Sequence, residues 1–218
     1  MSSHTATADT PHPRMSSATP PRTGILFVLS GPSGVGKDAA IRSLKENPAF
    51  TMHHVVTATT RRMRANEQHG RDYWFYTLEQ FQEMEQAGKL LEWAVVHDNY
   101  YGTPLTQVRE QLAQGADVLL KIDVQGAAKV KERAPDGVFI FLAPPSVEAL
   151  VSRLRQRKTE TPQELEVRVA NAYREMDALS AYDYCVVNHD DRLDDAVSKI
   201  SAIIQAERCR VQRRVISF

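Results

Sequence analysis

Short apolar runs alternate along the chain with stretches in which apolar residues recur every three or four positions. Gly24-Ile25-Leu26-Phe27-Val28-Leu29 is apolar throughout, the pattern of a strand buried on both faces. Asp117-Val118-Leu119-Leu120-Lys121-Ile122 and Gly137-Val138-Phe139-Ile140-Phe141-Leu142 have the same character, and Leu90 to Val96 and Tyr184-Cys185-Val186-Val187 read as further strands. Between them, Ala39, Ala40, Ile41 and Leu44 fall at helical spacing. Thr77 with Gln80 forms a capping box ahead of a helix carrying Leu78, Phe81 and Met84. Thr103-Pro104 and Thr161-Pro162-Gln163-Glu164 each read as an N-cap followed by proline at the first helical position, the second opening a long helix towards Leu179. A final helix is predicted from about Asp191. Strands alternating with helices imply an α/β fold, a parallel sheet with helices on both faces.

Residues 1–23 are of another kind, with no Leu, Ile, Val, Phe, Tyr or Trp and a predominance of Ser, Thr, Pro and Ala. Such a segment cannot bury enough apolar area to offset its ordering entropy, so a disordered tail is predicted there and a folded domain over 24–218. The tail has no apolar h-region, which excludes a secretory signal, and Asp9 with two arginines supports an organellar transit peptide only weakly. Acidic and basic residues balance at 27 each, which argues against a general nucleic-acid binder. No apolar run approaches the roughly 20 residues that span a bilayer, so no membrane partner is expected. Cys185 and Cys209 are too few for a disulfide framework and lack metal-site spacing. A reducing, cytoplasmic setting is expected.

The strongest chemical signal is Gly31-Pro32-Ser33-Gly34-Val35-Gly36-Lys37, placed between a buried strand and a helix start. Glycines there let backbone N–H groups turn in around a phosphate, the helix N-terminus adds partial positive charge, and Lys37 supplies a full one. The next residue should be Ser or Thr, whose hydroxyl ligates magnesium, and here it is Asp38. A carboxylate can ligate magnesium, yet its charge also repels phosphate.

A phosphate loop leaves the second substrate open. From Thr57 onward, Arg61, Arg62 and Arg64 crowd into four positions, followed by Glu67 and by Arg71-Asp72-Tyr73. Forked guanidinium donors converging with tyrosine hydroxyls suit a dianionic phosphate. Asn99-Tyr100-Tyr101-Gly102-Thr103 follows. A carboxylate at Glu92 could accept from guanine N1–H and the 2-amino group, a donor pair that adenine lacks.

Taken together, these motifs resemble the guanylate kinase family, from Gly24 to about Ile204. The resemblance rests on GPSGVGK at 31–37, TTRRMRANE at 59–67, GRDYWF at 70–75, LLEWAVVHDNYYGT at 90–103, IDVQGA at 122–127, RQRKTE at 155–160 and VVN at 186–188. It implies a P-loop nucleoside-monophosphate-kinase fold: a three-layer α/β/α core, an inserted GMP-binding lobe at about 57–106 and a short helical lid at about 146–172. The implied reaction is magnesium-dependent transfer of the ATP γ-phosphoryl group to GMP or dGMP. By the same resemblance, residues 31–38 and Asn188 would bind ATP, with Asn188 at its adenine end. Arg61, Arg64, Tyr73 and Tyr101 would hold the GMP phosphate, Glu67 would orient the arginines, and Gly102 belongs to the same pocket. Glu92, Thr57 and Thr103 would contact the base or its lobe. Asp123, with Asp38, would lie at the magnesium, and Arg153, Arg157 and Arg168 with Lys37 would stabilise the transferring phosphoryl group.

Lys121 departs from the family pattern, which commonly carries Asp or Glu there. The cation could lie by Glu92 or the GMP phosphate, or pair with a neighbouring carboxylate. Two other readings compete: an inactive guanylate-kinase-like module that binds proteins, and a kinase of the same fold with another phosphorylated acceptor. Retention of Gly31, Gly36 and Lys37 weighs against the first, and the joint presence of Arg61, Arg64, Tyr73, Glu92 and Tyr101 against the second.

Overall fold

A computed structural model describes residues 23–47, 50–96, 98–156, 162–212 and 214–218. The predicted disordered tail and the proposed cap at Thr161 lie outside them, except for Thr23. Five parallel strands form the central sheet in the order β2-β7-β1-β8-β9. These are β1 (Leu26–Ser30), β2 (His53–His54), β7 (Val118–Lys121), β8 (Val138–Ala143) and β9 (Tyr184–Val187). Side chains of β1 alternate between two cores: Phe27 and Leu29 pack with Ile41, Leu44, Ile200 and Ile204, whereas Leu26 and Val28 pack with Val108, Leu112 and Val130. The first core is closed by α1 (Lys37–Glu46) and α7 (Leu193–Arg208), the second by α3 (Leu105–Ala113) and α4 (Val124–Arg133). Helices cover both faces, as unbroken apolar strands require.

Between β2 and α3 the chain builds a second, four-stranded sheet in the order β4-β3-β6-β5. It comprises β3 (Ala58–Thr59), β4 (Trp74–Phe75), β5 (Leu90–Val96) and β6 (Asn99–Pro104). The helix α2 (Leu78–Gln86) inserts Phe81 beneath it, against Ala58 and Leu90. The capping box at its start is formed as predicted: Thr77 Oγ1 accepts from Gln80 N at 3.2 Å, and Gln80 Oε1 accepts from Thr77 N at 2.9 Å. After β8 come α5 (Val147–Gln156) and α6 (Pro162–Asp177), which pack against each other, then a 3₁₀ turn at Ala178–Ala181. None of the described helices is long and apolar enough to cross a membrane.

One predicted helix start is corrected. Thr103 is not the N-cap of α3; it remains in β6 opposite Glu92, and Pro104 occupies the cap position, with Leu105 N donating to Lys89 O at 2.8 Å. The Thr103 hydroxyl is committed to a carboxylate across the sheet and so is not used for the cap.

β1 lies between β7 and β8, so the crevice at the C-terminal ends of the strands opens where the winding changes direction. Every strand of the parallel sheet ends at that edge. At the opposite end of the sheet, the buried Asp117 fastens three elements. Its Oδ1 accepts from Ile25 N at 2.9 Å, its Oδ2 from Arg208 Nε at 2.6 Å, and its carbonyl oxygen from His53 N at 2.8 Å. Asp117→Ala strands a buried N–H and a half-buried guanidinium, and should cost about 2–4 kcal/mol of stability. Urea unfolding reads this directly; a midpoint equal to that of the parent would show that these bonds are replaced by water without loss.

Candidate active site

The loop after β1 wraps around the Lys37 ammonium. Gly31, Gly34 and Gly36 hold φ of 137°, 86° and 103°. At Gly31 a Cβ would also lie 2.1 Å from Leu142 O, so no side chain fits between the loop and β8. Lys37 Nζ donates to Gly31 O at 2.5 Å and to Pro32 O at 3.1 Å. Burial pushes its pKa down to about 8, against the pull of Glu175, Asp123 and Asp38. Ser33 N donates to Glu175 Oε2 at 3.0 Å, and Arg168 donates to Ser33 Oγ at 2.7 Å, so α6 bears on the loop tip. Asn188 supports the loop from behind, donating through Nδ2 to Val35 O at 2.8 Å.

A cavity of about 490 Å³ opens beside the loop and runs to the second sheet, lined by Lys37, Asp38, Asp123, Thr57, Tyr73, Glu92 and Tyr101. A second, of about 570 Å³, shares Ser33, Lys37, Val96 and Asp123 with it and continues to Arg168 and Glu175. Two compartments therefore meet at the lysine.

Glu92 forms the inner wall of the first. β5 and β6 pair Leu90 with Pro104 and Glu92 with Thr103, so Leu91 is an extra residue on β5. This bulge sets Leu91 into the second core and leaves Glu92 buried opposite Thr103. Thr103 Oγ1 donates to Glu92 Oε1 at 2.6 Å. α4 holds the strand from the other side: Arg133 donates to Leu90 O and Leu91 O at 2.6 and 2.8 Å, and Lys129 to Trp93 O at 2.5 Å. Gly126, also on α4, lies so close that a Cβ would stand 2.7 Å from Glu92 Oε2. Burial raises the Glu92 pKa to about 7; the Thr103 hydrogen bond opposes the rise, Asp123 adds to it and Lys129 opposes it.

The arginine segment lies at the outer end. Arg61 donates to Glu67 Oε1 at 2.7 Å and stacks over the Tyr73 ring, 5.4 Å from its centroid. Tyr73 in turn meets Tyr101 edge-on, with centroids 6.1 Å apart. Glu67 reaches the Arg64 backbone N–H at 2.9 Å, while the Arg64 side chain is exposed. Asp123 caps α4 through Gly126 N at 2.8 Å.

The structure thus gathers Lys37, Asp38, Asp123, Thr57, Tyr73, Glu92 and Tyr101 around one space, with Thr103 and Arg61 in contact with its walls. It does not bring Arg153 there: Arg153 donates to Asp190 Oδ1 and Asn188 O, both at 2.8 Å. Gly102 packs against Phe81 of α2, and Arg157 lies outside the described residues. Lys121, whose partner the sequence leaves open, pairs with Asp38. Sequence reasoning missed Glu175, Gly126 and Lys129; of these only Gly126 falls within a quoted motif, IDVQGA.

A family model described as guanylate kinase matches residues 23–207. The chain belongs to the guanylate kinase family. A guanylate kinase of Caldanaerobacter subterraneus subsp. tengcongensis is 47% identical over 192 residues, 88% of this chain and 92% of the relative. Guanylate kinase 2, chloroplastic/mitochondrial, of Oryza sativa subsp. japonica is 46% identical over 200 residues, 91% of this chain and 70% of the relative. Among solved structures, guanylate kinase from Anaplasma phagocytophilum superposes with a TM-score of 0.71 at 33% identity, covering 88% of this chain and 90% of that one. The guanylate kinase fold thereby accounts for the parallel sheet, the helices on its two faces and the loop at the switch point.

A raised carboxylate pKa carries a signature in stability. Between the ordinary value of 4.5 and about 7, the folded state of this guanylate kinase family member keeps a proton on Glu92 that the unfolded chain gives up. Stability from this group therefore falls as pH rises through that window. Glu92→Gln removes the dependence, so the variant should gain about 2–3 kcal/mol relative to the parent between pH 4.5 and 7.5. Denaturant midpoints at several pH values measure it, and parallel curves would mean that Glu92 is hydrated.

Proposed function

We propose that this chain transfers the γ-phosphoryl group of ATP to GMP, giving ADP and GDP, and that dGMP is accepted in the same way. The observation that carries the reading is the Glu92 carboxylate, set into the wall of a cavity that ends at Lys37. A carboxylate offers two acceptors to the N1–H and 2-amino donors of guanine, and Thr103 fixes one of its oxygens in place. Thr57, in the same wall, presents a hydroxyl to the base. Arg61, held by Glu67, and Arg64 serve the GMP phosphate together with Tyr73 and Tyr101. We assign the lobe at about 57–106 to GMP and the helices at about 146–172 to a lid.

Lys37 and the loop amides receive the ATP phosphates, and Arg168, at the boundary of the second cavity, faces the phosphoryl group in transit. Arg157 is assigned to the same lid, as is Arg153, which there ties the lid to Asp190 and the Asn188 carbonyl; Asn188 is assigned to the adenine end of ATP. No general base is required, because a phosphate monoester is largely a dianion near neutral pH, and the protein's work is positioning and charge neutralisation. Asp38 and Asp123 both line the first cavity beside the loop, a pair of hard oxygen donors that fits a magnesium ion sharing its remaining positions with phosphates and water. Bound there, magnesium would neutralise charge on the transferred group. An inactive protein-binding module has no need of the intact loop, the half-buried lysine and the buried carboxylate that this chain retains together.

Glu92→Gln preserves shape but turns one acceptor into a donor facing guanine donors. Its kcat/KM for GMP should fall by about 2–4 kcal/mol in transition-state binding, and that for AMP by much less. ADP release measured with each nucleotide decides it; equal losses would remove Glu92 from base recognition. Arg61→Lys keeps the charge but loses the fork, so the GMP KM should rise about tenfold with little change in the ATP KM. A selective loss of ATP affinity in that variant would place the arginine on the wrong substrate.

A further inference from the structure

The first turn of α1 carries an aspartate where a phosphate loop ordinarily has a hydroxyl, and the Asp38 carboxylate is paired with the Lys121 ammonium at the end of β7. The two residues are far apart in sequence and join the helix that follows the loop to the strand leading to Asp123. Lys121 is half-buried, with its side chain 28% exposed, whereas Asp38 is 78% exposed at the cavity. Three acids bear on the Lys37 ammonium, namely Glu175, Asp123 and Asp38, and Lys121 acts on it in the opposite sense. Arg168 donates to Ser33 Oγ at the loop tip, and Arg42 lines the same cavity as Asp38, while the ammonium of Lys121 is in direct ion-pair contact with the Asp38 carboxylate. Without Lys121 the Asp38 carboxylate loses this counter-charge at the place where a polyanion must bind.

We propose that Lys121 is a positioning residue that cancels and tethers the Asp38 carboxylate, so that an aspartate can stand at the loop helix without opposing the triphosphate. The pair substitutes for the neutral hydroxyl that the loop otherwise uses. It acts before any metal arrives, because the counter-charge is supplied by the protein itself. Magnesium offers Asp38 a second counter-charge, so the contribution of Lys121 is greatest toward the metal-free nucleotide. This inference rests on the loop being the ATP phosphate cradle.

Titration calorimetry of the whole chain with ATP, once in EDTA and once in excess magnesium, tests the proposal. Lys121→Met should weaken metal-free ATP binding about tenfold, the scale of losing one counter-charge in a partly aqueous site, and Mg·ATP binding by less. Asp38→Ser combined with Lys121→Met should return metal-free affinity to within about twofold of the parent, since no charge is left to cancel. Lys121→Arg should keep it, which separates the charge pair from any loss of packing. If the double variant stays as weak as Lys121→Met, the lysine acts on the nucleotide directly and the proposal is overturned. Unchanged affinity in Lys121→Met overturns it equally. A parent chain that binds no ATP in either condition would instead remove the reading of the loop.

Discussion

The Lys37 ammonium is half-buried at the start of α1, where Gly31 O and Pro32 O accept from it at 2.5 and 3.1 Å. An ammonium in that position is tolerated because dipoles and nearby acids compensate it, and burial still brings its pKa down to about 8. The geometry that allows this is narrow. The loop must turn on glycines, with Gly31 pressed against β8, and Asn188 must hold Val35 from behind. The sheet supplies the frame, because parallel strands end together and place the loop, Asp123 and Asn188 along one edge. A cation fixed and partly desolvated there is worth more to a phosphate than one on the surface.

Across the cavity the opposite problem is solved by similar means. Glu92 is a carboxylate out of water, held at its post by α4 rather than by the small sheet alone. Arg133 and Lys129 bind the carbonyls of β5, Gly126 leaves room for the carboxylate, and Asp123 caps the same helix at the edge of the cavity beside the glycine loop. One helix thus touches both ends of the first cavity. On the proposed function it fixes the distance between the carboxylate assigned to the base and Asp123 beside the loop, and phosphoryl transfer depends on such positioning.

Much of this was legible in the residue pattern. Continuous apolar runs marked β1, β7 and β8, because strands covered on both faces have no polar side to show. Thr77 and Gln80 marked a helix start because a capping box is local, complete within four residues. Thr103-Pro104 carried the same local signal and was misleading, since the threonine hydroxyl answers to Glu92 across the hairpin. Lys121 shows the limit more sharply: its partner lies 83 residues away, and nothing near it in sequence favours Asp38 over Glu92. Glu175, Lys129 and Gly126 act on the site through tertiary packing alone and leave no periodic trace. Arg153 fits an arginine motif, yet its guanidinium is spent on Asp190 and the Asn188 carbonyl.

A half-buried lysine held by the loop and a buried carboxylate held against α4, at opposite ends of one cavity, make an ATP-dependent kinase for the guanine monophosphate. ADP release with saturating Mg·ATP, measured in parallel with GMP, AMP, CMP and UMP at equal concentration, tests it most directly. GMP should support a rate at least about a hundredfold above each of the others, the discrimination expected when a buried hydrogen-bonding group is left unpaired by the wrong base. Comparable rates with AMP or UMP, or ADP release that does not depend on the acceptor, would contradict it.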